Sequence, residues 1–235
     1  FIVTILICLV MASVNVFKAN QIVRYLKELC LLLIWISSLV IAITTTARQI
    51  PAEKEQRTLL PLLAKPLTRT QFLVGKFLGC WLACGLVLLC FYAFFGALAA
   101  SREHTWPLVN YFQAAFLHWM TLGVVVAITL LGSLVFAAPS SNSTICFVIV
   151  GTIMCIGRYL DAVALSLSGL MRDLVYALYF AIPHLEIPFE MRDLIVHDCP
   201  LVGWNFWALE VLYLLAYIAF FLVVAALVFR RKPVN

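Results

Sequence analysis

Apolar residues in this chain come in long runs, not in the three- and four-residue rhythm of a helix with one wet face. Such runs cover 1–17, 28–47, 71–100, 111–137, 144–168 and 204–229. A helix needs about 20 mostly apolar residues to cross a bilayer, so six membrane-spanning helices are predicted. No internal repeat, low-complexity tract or charge run divides them, and we read 1–235 as one all-α membrane domain. The third helix has the clearest start: Thr68-Arg69-Thr70-Gln71 fits a capping box, with Leu67 and Phe72 placed as the hydrophobic staple. Run from Arg69 to Ala100, that helix is about 48 Å long at 1.5 Å per residue, more than a hydrocarbon core of about 30 Å. Its first two turns, with Arg69 and Lys76, should therefore stand outside the core. Gly75, Gly79 and Ala83 recur every fourth residue on it and predict a smooth face for close helix packing.

The stretch 162–203 fits this scheme least well. Residues 162–182 are apolar enough to suggest a seventh span, but Arg172 and Asp173 sit at their middle. A charge at the centre of a span costs at least about 2.5–3.5 kcal/mol on insertion scales. The expectation is a fifth span that leaves the membrane, then interfacial or re-entrant helices on the outer face before the sixth. Arg158 and Asp161, spaced i, i+3, can pair on one helix face. They read as an interfacial anchor, or as a gate or substrate contact at the outer mouth.

Composition agrees with a membrane protein. The chain is 65% hydrophobic and 11% charged, where soluble domains run nearer about 45–50% and 25%. Little chain is left for a separate soluble catalytic domain. Phe1 lies inside an apolar run without a Met, so an N-terminal piece is expected to be missing. The charges orient the chain. If 48–76 and the C-terminal tail share the cytoplasmic side, that side holds nine of the 16 basic residues and only two of the 11 acids. This is the sense of the positive-inside rule, although Lys18, Arg24 and Lys27 oppose it. We read both termini as inside. The eight Cys show no CxxC spacing, and most read as small apolar residues.

One polar block interrupts the front half, 48–76, reading RQIPAEKEQRTLLPLLAKPLTRTQFLVGK. Pro51 suits the first turn of a short helix, and Glu53 and Glu55 would stabilise its positive end. Leu59, Leu60, Leu62 and Leu63 give it an apolar face, Pro61 limits it, and Lys65-Pro66 ends it. Such a helix would lie beneath the membrane, either resting on lipid or plugging into a groove on a cytoplasmic subunit.

These residues resemble a family. Glu53-Lys54-Glu55-Gln56-Arg57-Thr58-Leu59, then Leu62-Leu63-Ala64-Lys65-Pro66-Leu67-Thr68-Arg69, then Phe72 and Gly75-Lys76, look like the cytoplasmic pattern of ABC-2 type transporter permeases. In detail they look most like the group containing the membrane subunit of the nitrous-oxide-reductase maturation transporter. Pro183-His184-Leu185-Glu186 followed by Phe189 resembles an outer-segment motif of that group more weakly. The resemblance implies one half of a membrane pore in a bacterial inner membrane. Two permease subunits pair there, a homodimer being favoured over a heterodimer, and each docks a separate ATPase that binds ATP and magnesium. The coupling helix would be about 52–64. Glu53, Glu55, Arg57 and Thr58 would meet the ATPase, Leu59, Leu62 and Leu63 would hold the helix against the spans, and Pro66 and Arg69 would lead into the next span. Members of the family usually begin with an elbow helix along the inner surface, which is expected to belong to the missing N-terminal piece.

The chain carries no catalytic motif of its own. Gly75-Lys76 lacks the earlier glycine and the following Ser or Thr of a phosphate loop, and neither HExxH nor a GxSxG-like site is present. We expect no cofactor in this chain, no nucleic-acid partner and no metal. His184, Glu186, His197, Asp198 and Cys199 have ligand chemistry but match no site spacing. His118, inside a span, reads as a packed or interhelical hydrogen-bonding residue, not a proton relay. Two other readings stay open. One is a transporter-like subunit that passes force to a periplasmic or lipoprotein partner without moving a solute. The other is a channel or secondary carrier, though paired ionisable groups deep in the spans are nearly absent. The transported substrate is not legible.

Overall fold

The computed structural model describes residues 19–55, 68–103, 108–136, 138–185, 195–196 and 201–231, and these are helical with short connections. We number the helices α1 (Ala19–Glu55), α2 (Arg69–Glu103), α3 (Leu108–Val135), α4 (Pro139–Ser166), α5 (Leu170–Ala181) and α6 (Trp204–Arg231). Five of them are long and apolar enough to cross a membrane, over Lys27–Glu53, Arg69–Ala100, Leu108–Val135, Pro139–Gly157 and Trp204–Arg231. These correspond to the second to sixth predicted spans. The first, 1–17, lies outside the described residues.

α3 is the axis of the bundle and packs against α1, α2, α4 and α6. Every residue from 120 to 130 is buried, so α3 needs polar groups that satisfy themselves. Thr121 Oγ1 donates to Leu117 O at 2.9 Å, Thr129 Oγ1 to Val125 O at 2.8 Å and Ser133 Oγ to Leu130 O at 2.7 Å. Asn142 of α4 donates to Thr129 O at 3.1 Å and accepts the Cys146 thiol at 3.3 Å. It lies over Gly132, where an added Cβ would collide with its Oδ1.

His118 joins three helices. Ser38 Oγ of α1 donates to Trp35 O at 2.9 Å and lies 2.9 Å from His118 Nε2. With its proton committed to Trp35, Ser38 must accept from Nε2–H. Nδ1 is then the acceptor for the Tyr92 hydroxyl of α2 at 3.4 Å. The Trp35 ring stacks on the imidazole at 5.5 Å between centroids.

α2 and α3 are joined by a reciprocal pair. Trp81 Nε1 donates to Trp119 O and Trp119 Nε1 to Trp81 O, both at 3.0 Å, and the rings stack at 4.4 Å and 14°. Gly85 and Gly123 make the room. A Cβ on Gly85 would fall 2.6 Å from Trp119 Nε1, and one on Gly123 would fall 2.8 Å from Trp81 Nε1.

Two expectations need correction. Pro51 does not open a new helix, because α1 runs through it to Glu55. Its missing N–H removes one bond, to Ala47, and the rest of the helix holds. The described part of the predicted coupling helix, 52–55, therefore continues a span, and 56–64 lies outside the described residues. Six free cysteines are described, of which Cys90 and Cys155 are exposed on the bundle surface instead of buried.

The seventh-span reading fails as expected, since α4 stops at Ser166 and Gly169, at φ 68°, turns the chain. α5 follows with Asp173 in its first turn, where a negative charge suits the helix dipole. Its Leu170, Met171 and Leu174 are exposed, which suits a helix lying at a membrane surface. The chain then folds back on α6: His184 N–H donates to the Tyr213 hydroxyl at 3.0 Å, and the two rings stack at 6.2 Å.

Replacing Gly85 with Ala should lower stability by about 1–3 kcal/mol, the usual cost of overpacking. Thermal unfolding in detergent reads this directly. An unchanged midpoint would show that the tryptophan pair does not depend on its glycine seat.

Candidate coupling site at the basic end of the bundle

α1 ends, α2 begins and α6 ends at the same end of the bundle, and their charges meet there. α2 starts with the predicted capping box: Gln71 N–H donates to Thr68 Oγ1 at 3.2 Å, and Thr68 N–H to Gln71 Oε1 at 2.9 Å. Two orphan donors are thereby satisfied, and the position of Arg69 is fixed. Arg69 was expected to lead from the coupling segment into the next span, outside the hydrocarbon core. Its guanidinium instead donates to the Phe229 and Arg230 carbonyls at 3.0 and 3.3 Å and lies 5.7 Å from the Phe229 ring centroid. It caps the last turn of α6, whose carbonyls carry the negative end of the helix dipole. Arg230 returns the contact through Thr70 Oγ1 at 3.4 Å.

Glu53, expected at the ATPase contact, points across to α2 and forms an ion pair with Lys76. Gln49, one turn earlier on α1, accepts from Lys76 Nζ at 3.3 Å. Phe72 lies under the same ammonium, 5.9 Å from its centroid. Both charged side chains are largely covered, 28% exposed for Lys76 and 14% for Glu53. The pair therefore works in a medium where the Coulomb interaction is stronger than in water. Sequence reading had placed Lys76 at this level without a partner and had given Gln49 no role. A helical register carried through Pro51 would have found both.

Gly75, Gly79 and Ala83 do lie on one face of α2, but among the described residues nothing comes within 4 Å of a Cβ at 75 or 79. They line a half-open cleft of about 490 Å³ between α1 and α2, whose other walls include Thr45, Gln49, Glu53 and Lys76. The close approaches within the chain occur instead at Gly85, Gly123 and Gly132.

The other expected residues are scattered. The Glu55 backbone ends α1, whereas Arg57, Thr58, Leu59, Leu62, Leu63 and Pro66 lie outside the described residues. Arg158 and Asp161 fall in α4, in its C-terminal third. Among the described residues no three metal-ligating side chains come together. His184 is packed between Tyr179 and Tyr213, and Glu186, His197, Asp198 and Cys199 lie outside the described residues. What the basic end can do is mechanical: it ties three helix ends into one unit beside a polar segment of the chain.

In a double-mutant cycle on thermal stability, Glu53→Gln and Lys76→Met should show a coupling energy of about 0.5–3 kcal/mol. A value within error of zero would mean that the ion pair does not join α1 to α2.

A family model described as ABC-2 family transporter protein matches residues 2–234. No curated protein matches the chain.

Proposed function

The chain belongs to the ABC-2 transporter family, as a membrane permease subunit, and from that premise we propose an exporter or flippase driven by a separate ATPase. ATP and magnesium bind in that partner. Two permease subunits, read as identical copies, sit in a bacterial inner membrane with the basic end cytoplasmic. Within the family we place the chain nearest the group containing the membrane subunit of the nitrous-oxide-reductase maturation transporter, on the match over 53–76.

One observation carries the coupling mechanism: α1 continues unbroken through Pro51 to Glu55 and is held to α2 there by the Glu53–Lys76 pair. Residues 52–55, the described start of the 52–64 coupling segment, thus enter the ATPase contact as an extension of a span. Glu55, Arg57 and Thr58 meet the ATPase, while Leu59, Leu62 and Leu63 hold the segment to the spans. Glu53 serves inside the joint. Closure of the ATPase pair on ATP displaces the segment, and that displacement reaches α1 and α2 together. Arg69 passes it to α6 through the Phe229 and Arg230 carbonyls. Rocking of the two subunits then opens the path to the outer side, where Arg158 and Asp161 stand at the mouth.

Purification in mild detergent from the native membrane should bring down an ATP-binding-cassette ATPase with ATP turnover. Leu59→Asp and Glu55→Lys should release it while the permease stays folded. An intact permease with no such partner, or one whose partner ignores both changes, would sink this assignment.

A further inference from the structure

We propose that the cleft between α1 and α2 binds a phospholipid-like amphiphile whose headgroup carries both a phosphate and an amine. The chemistry follows from its two unlike halves. At the basic end stand one cation, Lys76, and one anion, Glu53, with Gln49, Gln71 and Phe72 beside them. Toward the membrane centre the wall is Thr45, Gly79, Cys80 and Ala83, with Gly75 at the level of Lys76. A volume of about 490 Å³ lies within the roughly 300–1,000 Å³ of small-ligand sites. From Gly75 to Ala83 the helix rises about 12 Å, most of the roughly 15 Å depth of one leaflet. An acyl chain laid along that wall puts its headgroup at the level of Lys76.

Charge chooses the headgroup. A purely anionic one would meet Glu53, and a purely cationic one would meet Lys76. A phosphate and an amine together satisfy both and leave the ion pair's neutrality unchanged. A helix from a second subunit fits less well. An apolar helix surface laid over this end would strip the remaining water from the Lys76–Glu53 pair without replacing it, and that desolvation is costly. The use of small residues elsewhere points the same way. Where this bundle brings helices together, the glycine is filled by a named neighbour, Trp119 at Gly85, Trp81 at Gly123 and Asn142 at Gly132. Among the described residues Gly75 and Gly79 have no such neighbour and stand beside a charged pair. The exporter reading enters only in assigning the ligand to the cytoplasmic leaflet.

The test is native mass spectrometry of the full protein after reconstitution in vesicles of equal phosphatidylethanolamine and phosphatidylglycerol. Phosphatidylethanolamine should be enriched among retained lipids. Gly79→Leu, which places a side chain in the cleft, should weaken that retention about tenfold, equivalent to about 1.4 kcal/mol. Ala83→Phe should do the same from one turn deeper, so the test does not hang on one variant. Gly151→Leu, on α4 and equally free of neighbours within 4 Å, should change nothing. Equal retention by native protein and both cleft variants would overturn the site, and enrichment of phosphatidylglycerol would overturn the headgroup class. Loss of subunit pairing in Gly79→Leu with lipid retention intact would make the face a protein contact instead. ATPase co-purification, scored on the same samples, bears on the exporter reading alone.

Discussion

The bundle depends on a contact between two tryptophans that lipid makes necessary. Hydrocarbon offers no water to an indole N–H, and it gives helices no hydrophobic reason to associate. Trp81 and Trp119 meet both conditions at once, each donating to the other's carbonyl at 3.0 Å. Each carbonyl also faces the N–H four residues on, which belongs to Gly85 or Gly123. The second lone pair of the oxygen takes the indole. A side chain at either glycine would cover that oxygen, which is why the sequence reads W-x-x-x-G on both helices. The contact is two-fold symmetric and fixes the register of α2 against α3. It also seats α6, because Ile218 approaches Gly123 beside Trp81 and Trp207 packs on Phe116, next to Trp119.

A second constraint follows from the burial of α3. A helix with neighbours on all sides cannot point a polar group at solvent, so its hydroxyls turn back on its own carbonyls. Its imidazole must be met at both ring nitrogens. Ser38 and Tyr92 do this from two different helices. Because Ser38 spends its proton on Trp35 O, the network has a direction, and His118 takes one tautomer. That makes it a pin through α1, α2 and α3.

What was legible in the sequence follows from which forces are local. Span lengths are imposed by the bilayer, so five of the predicted spans could be read from apolar runs alone. The capping box at Thr68–Gln71 is a four-residue interaction and was equally plain. Long-range partners were not. Gly75 and Gly79 carry the same small-residue signal as Gly85 and Gly123, yet among the described residues one pair has no neighbour and the other is filled by indoles. Spacing reports that a face is smooth and is silent on what comes to it. Arg69 looked like a surface charge because its acceptors lie 160 residues away. Pro51 was misread because a helix start is its preference in water. α1 loses one hydrogen bond there and keeps its axis.

That continuity decides how force can travel. A separate coupling helix on flexible joints would dissipate a push before it reached the spans. Here Gln49 and Glu53, one turn apart on α1, both hold Lys76, so two positions of α1 converge on one ammonium of α2. Arg69, two turns before Lys76 on α2, holds the end of α6 by two carbonyls. Three helix ends are thus linked through one stretch of α2, all of it on the basic side of the Trp81–Trp119 clasp. In the proposed mechanism, a displacement entering at residue 55 reaches these three ends together before it meets the clasp.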